Sequence, residues 1–142
     1  MAAMIRAMTR HPAFAWRFDA RAFAVALGLF VLLVLLATFG AHAGWVRGFF
    51  GDLLAVVWLY FVFKTFVEAR PVPLASSAFA VGCALEFGQY LARVQHWQIV
   101  NPVLRVVVGS TPDWLDVLAY GLGAASVVGW ELRAARPKAS AP

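Results

Sequence analysis

AFAVALGLFVLLVLLATFG, residues 22–40, contains no charged side chain and a single hydroxyl, that of Thr38. The charge-free stretch is longer than this quotation, reaching from Arg21 to Arg47. That exceeds the roughly 20 residues a helix needs to cross a hydrocarbon core, so the segment reads as a membrane span. The flanks agree. Of 142 residues, 63% are apolar and 13% charged, and mean hydropathy is +0.77. This balance excludes an ordinary soluble domain.

Working outward, the pattern predicts three further spans, at about 49–67, 73–91 and 114–130. The second has the shortest uncharged run, Leu53 to Phe63. It spans only if Asp52 sits at one interface and Lys64 extends its stem toward the other. The expected fold is therefore an all-α polytopic membrane bundle of four transmembrane helices. Residues 1–21 form a basic N-terminal segment, residues 22–132 the four-span domain, and residues 133–142 a disordered tail.

Four spans place Arg6, Arg10, Arg17, Arg21, Lys64, Arg70, Arg133, Arg136 and Lys138 on one side, and Arg47, Arg93 and Arg105 on the other. Cytoplasmic loops carry the excess of lysine and arginine, so both termini are expected in the cytoplasm. The same bias explains the net charge of +5 without a nucleic-acid partner. Ala41, His42 and Ala43 imitate a signal-cleavage site, but the apolar run before them is too long for a signal peptide, and an uncleaved anchor is expected. Cys83, the single cysteine, excludes an intrachain disulfide.

Function is expected in the polar residues of the spans. At about 100° per residue, Asp113, Asp116, Tyr120 and Gly123 share one face of the fourth span. In the third span Gly82, Glu86, Gln89 and Arg93 do the same, with Tyr90 beside them. Such groups turn toward protein or water rather than acyl chains. Glu86 lies about eight residues, or roughly 12 Å, below the outer end of its span, and Tyr120 lies roughly 10 Å down the next. The two should meet. With Asp52 at the head of the second span and Arg105 in the adjoining loop, the predicted cluster is Asp52, Glu86, Gln89, Arg93, Arg105, Asp113, Asp116 and Tyr120.

Each residue also admits a plain structural role. Asp113 follows Ser110, Thr111 and Pro112, a helix-start pattern in which an acid complements the helix dipole. Asp52 can serve as an interfacial acid of the same kind. Glu86 sits too deep for either. Gly82, Gly88, Gly121 and Gly123 are expected to permit close helix approach. Trp45, Trp58, Tyr60, Trp97, Trp114 and Trp130 are expected as interfacial anchors or lipid-facing bulk. His96 is expected as an interfacial polar group, and the apolar loop 94–112 as an interfacial segment shielding the cluster. The inner half looks dry, holding little beyond Ser76, Ser77 and Ser126. No HExxH or paired-cysteine motif and no glycine-rich nucleotide loop occurs, so neither a metal nor a cofactor is expected.

Three motifs together resemble the small bacterial membrane proteins of the domain-of-unknown-function 2809 family. They are the Gly-Asp of GDLLAVVWLY (Gly51, Asp52), the E-x-x-Q of EFGQY (Glu86, Gln89, Tyr90), and RVVVGSTPDWLDVLAYGLG (Arg105, Gly109, Ser110, Asp116, Ala119, Tyr120, Gly123). The likeness covers roughly residues 45–130 and implies a bacterial inner-membrane location. It implies no activity. Asp113 stands where that family more often has an aromatic residue and is not carried over. A looser likeness links the chain to VanZ-like membrane proteins, which are associated with glycopeptide-antibiotic resistance.

Three functions fit this reading. The first is binding of a polar lipid or lipid-linked envelope component, with Arg93 and Arg105 on phosphate and the acids and Gln89 on hydroxyl or amine groups. The second is an enzyme acting on such a lipid with Glu86 as general acid or base. The third is a small proton-coupled transporter, which would require a homodimer. Binding ranks above catalysis because Ser110 and Ser126 have no adjacent base.

Overall fold

The computed structural model describes residues 15–39, 44–95 and 114–135. It contains four long helices: α1 (Ala20–Phe39), α2 (Gly44–Phe66), α3 (Pro71–Val94) and α4 (Trp114–Ala134). All four are long and apolar enough to cross a membrane, so the chain has the fold of a multi-pass membrane protein. Two short strands, β1 (Ala15–Trp16) and β2 (Val67–Glu68), pair antiparallel, with Ala15 opposite Glu68 and Trp16 opposite Val67. The end of the bundle where they pair is called the near end below, and the opposite end the far end.

Local chemistry sets the helix ends. Asp19 caps α1, its Oδ1 accepting the backbone N–H groups of Arg21 at 2.9 Å and Ala22 at 3.2 Å. The Ala22 bond holds the Asp19 carboxyl below its ordinary value of 3.8. The cap is therefore complete where Asp19 is ionised and fades as pH falls through that lowered value. Pro71 opens α3, where its missing N–H leaves one fewer unpaired donor. The last carbonyls of α2 would be unpaired, but residues 17–19 lie across them. Arg17 N–H donates to Phe66 O at 3.0 Å and Asp19 N–H to Thr65 O at 2.8 Å. This strap ties the start of α1 to the end of α2.

α2 is the central helix, packed against α1, α3 and α4, while α3 also packs on α4. The core holds Val56, Tyr60, Leu74, Ala75, Ala78, Tyr120 and Val127. Small residues, namely Ala22, Ala26, Ala75, Ala78, Gly82, Ala119 and Gly123, are buried alongside the larger ones, as expected where van der Waals packing rather than hydrophobic transfer drives association. Large apolar side chains such as Phe23, Leu27, Phe30, Leu85, Leu118 and Leu122 point outward. That inversion suits a lipid solvent.

Several sequence expectations are corrected. α2 starts at Gly44, five residues before the expected 49, so Asp52 lies eight residues into the helix instead of at its head. At 1.5 Å per residue that is roughly 12 Å, which takes Asp52 out of the first turn, where an acid would complement the helix dipole. Tyr60 is neither an anchor nor lipid-facing: it is 1% exposed. Of the glycines expected to permit close approach, Gly88 has nothing within 4 Å of where a Cβ would stand. Gly82 and Gly123 do face close neighbours, namely the Tyr120 ring and the Leu53 carbonyl.

Candidate functional site

Three helices bring polar groups together in the far-end half of the bundle. The i, i+3 spacing on α3 puts Glu86 and Gln89 on one face, and Gln89 Nε2 donates to Glu86 Oε1 at 3.4 Å. From α4 the Tyr120 hydroxyl donates to the same oxygen at 3.1 Å. Glu86 and Tyr120 are 7% and 6% exposed. Gly82, one turn before Glu86, lets the Tyr120 ring approach, since a Cβ there would stand 2.8 Å from its Cδ2. α2 supplies Asp52, whose carboxyl stands beside Asp116, Glu86 and Tyr120.

The structure thus gathers Asp52, Glu86, Gln89, Asp116 and Tyr120 around one phenol. Asp52, Asp116 and Gln89 are half-buried. Every buried side-chain nitrogen or oxygen among the described residues has a partner, so the cluster is satisfied within the protein. Arg93 is exposed and stands two turns from Glu86 toward the far end. Arg105, Asp113, His96 and residues 96–112 of the expected interfacial loop lie outside the described residues. Among the described residues no three histidine, cysteine or acidic groups are arranged to hold a metal ion.

Two features were not anticipated. The first is a half-open cavity of about 740 Å³ between α3 and α4, lined by Cys83, Glu86, Phe87, Tyr90, Arg93, Val94, Trp114 and Val117. The signal was present: residues 83, 86, 87, 90, 93 and 94 recur at helical spacing on one side of α3. Glu86 therefore stands between two environments, hydrogen-bonded to Tyr120 and Gln89 while also lining an apolar groove.

The second is a polar group at the near end, in the half expected to be dry. Lys64 of α2 forms an ion pair with Glu131 of α4, and the buried Tyr60 hydroxyl contacts the same carboxylate. The Lys64 Nζ stands 5.9 Å from the centroids of both the Tyr60 and Phe61 rings. The serines named for this half contribute less. Ser77 bonds back to Pro73 O at 3.0 Å and Ser126 to Gly123 O at 2.8 Å, internal helix bonds that leave little hydroxyl to offer. Asp52, Val56, Tyr60 and Lys64 recur every four residues on α2, but that spacing does not say which residue of another helix they meet.

No curated protein and no solved structure matches the chain. Residues 41–124 match the protein family of unknown function DUF2809. This segment holds Asp52, Glu86, Gln89, Asp116 and Tyr120 and covers more than half of the 142 residues, so the chain belongs to the DUF2809 family.

Proposed function

We propose that the protein binds a polar lipid, or a lipid-linked envelope component, in the groove between α3 and α4. It would do so in a bacterial plasma membrane, with both termini in the cytoplasm and the far end in the outer leaflet. One observation carries this reading: a single groove joins a buried, hydrogen-bonded carboxyl, an exposed guanidinium and an apolar bed. Its volume of about 740 Å³ falls within the range of small-molecule pockets, which are mostly apolar with a few placed polar groups.

Each lining residue then has a role. Arg93, close to the end of α3, meets the phosphate, for which a forked guanidinium is suited. Glu86 takes a hydroxyl or amine of the head group, held in position by Tyr120 and Gln89. Phe87, Val94, Trp114 and Val117 carry the hydrocarbon part. Binding without catalysis is the simplest use of this set, since among the described residues that line the groove there is no serine or threonine hydroxyl to act as a nucleophile.

The test is the lipid retained through purification in mild detergent, measured by mass spectrometry. Wild type is expected to hold one polar lipid class enriched over the membrane extract. Glu86→Gln and the groove-filling Val117→Trp are expected to lose that enrichment, and Arg93→Gln to lose it for phosphate-bearing lipids only. Retained lipid that mirrors the extract in every variant would sink the proposal.

Orientation is checked separately by single cysteines in a Cys83→Ala background. Trp45→Cys is expected to react with an impermeant maleimide added outside intact cells, and Ser140→Cys only after the membrane is opened. External labelling of Ser140→Cys would reverse the bundle and place the groove in the other leaflet.

A further inference from the structure

The two polar groups lie on one seam. α2 and α4 run in the same direction, since Asp52 near the start of α2 meets Asp116 and Tyr120, and Lys64 near its end meets Glu131. A shift of one turn between the helices would break the contacts at both ends, because both depend on the same register. The middle is dry: Val56 and Val127 are 3% and 5% exposed. The helices come close at Gly123, where a Cβ would stand 2.6 Å from the Leu53 carbonyl oxygen. This point lies next to the far-end group, leaving a long arm of seam toward the near end.

The near-end ion pair differs from what lies beneath it. The Lys64 and Glu131 side chains are 30% and 20% exposed, whereas Tyr60 is 1% exposed. The pair is partly exposed and the phenol is not. The strap at residues 17–19 holds α1 to the end of α2, so α1 and α2 are tied to move together.

We propose that the Lys64–Glu131 pair is a releasable latch, and that the seam opens from the near end by hinging where Gly123 meets Leu53. The latch is a conformational device that does not rest on the lipid reading. When the pair separates, Tyr60 and the Val56–Val127 layer meet water, while Asp52, Asp116 and Tyr120 on the other side of the hinge keep their contacts. The occlusion of the middle layer is thereby put under the control of a group accessible from the near side.

Thiol accessibility tests this in a Cys83→Ala background with the cysteine placed at Val127 or at Ala119, on opposite sides of the hinge. Both are expected to be protected in the latched protein. Glu131→Gln is expected to raise maleimide labelling of Val127→Cys about tenfold, the change that loss of one or two favourable contacts produces in a local opening. Ala119→Cys is expected to stay protected. The exchange of charges, Lys64→Glu with Glu131→Lys, is expected to restore protection at Val127→Cys. The milder Tyr60→Phe, which keeps the ion pair, is expected to give a smaller rise and serves if Glu131→Gln does not fold. Three results would each overturn the latch: no rise in Val127→Cys labelling with either variant, an equal rise at Ala119→Cys, or no rescue by the exchange.

Discussion

Gly123→Ala is expected to cost the bundle about 1–3 kcal/mol, a large loss for one added methyl group. The new Cβ would stand 2.6 Å from the Leu53 carbonyl oxygen and 3.4 Å from its carbon. These are backbone atoms of α2, committed to its own helical hydrogen bonds, so no rotamer change relieves the contact. The helices must separate, and the dispersion contacts along the seam weaken with distance. Gly82→Ala meets a different neighbour, the buried Tyr120 ring, with Cδ2 at 2.8 Å and Cγ at 3.0 Å. Its expected penalty falls on the bond to Glu86 as the ring is displaced. Gly88→Ala supplies the control: nothing lies within 4 Å of its Cβ position, and replacing a mid-helix glycine gains up to about 1 kcal/mol. Unfolding in mixed detergent micelles, compared across the three variants, measures the order. Equal tolerance of Gly123→Ala and Gly88→Ala would show that the α2–α4 contact is looser than described.

The difference between these glycines marks what could be read from the sequence. Span number followed from apolar length alone, most clearly in α1, where no charge interrupts the run. The polar faces of α3 and α4 were also legible, because Glu86, Gln89, Asp116 and Tyr120 obey helical spacing and Glu86 lies too deep for a helix cap. The start of α2 was not. Arg47 and Asp52 lower local hydropathy and shift the expected start inward, although both belong to the helix. Nor was the near-end group legible. Glu131 stands two residues before Arg133 in the last turn of α4 and looks like a solvated end, and Tyr60 looks like an interfacial aromatic. Their burial depends on the rotation of α2 against α4, a relation between helices that no single-helix periodicity contains.

Loss of the Tyr120 hydroxyl is the second large expected effect. Tyr120→Phe removes the donor to Glu86 and, on its other side, the contact to Asp52. Gln89 stays bonded to Glu86, but at 3.4 Å this bond is long. Loss of one hydrogen bond to a buried carboxyl costs about 1–3 kcal/mol. Glu86→Leu leaves the phenol a remaining partner in Asp52 and is expected to cost less than Tyr120→Phe. The double variant, Glu86→Leu with Tyr120→Phe, removes donor and acceptor together, so its cost is expected to fall below the sum of the singles by about 1 kcal/mol. The same unfolding assay in detergent reads all three. Strict additivity would mean that Glu86 and Tyr120 are energetically independent despite their 3.1 Å separation, and the positioning of Glu86 by Tyr120 on which the binding proposal relies would then fall.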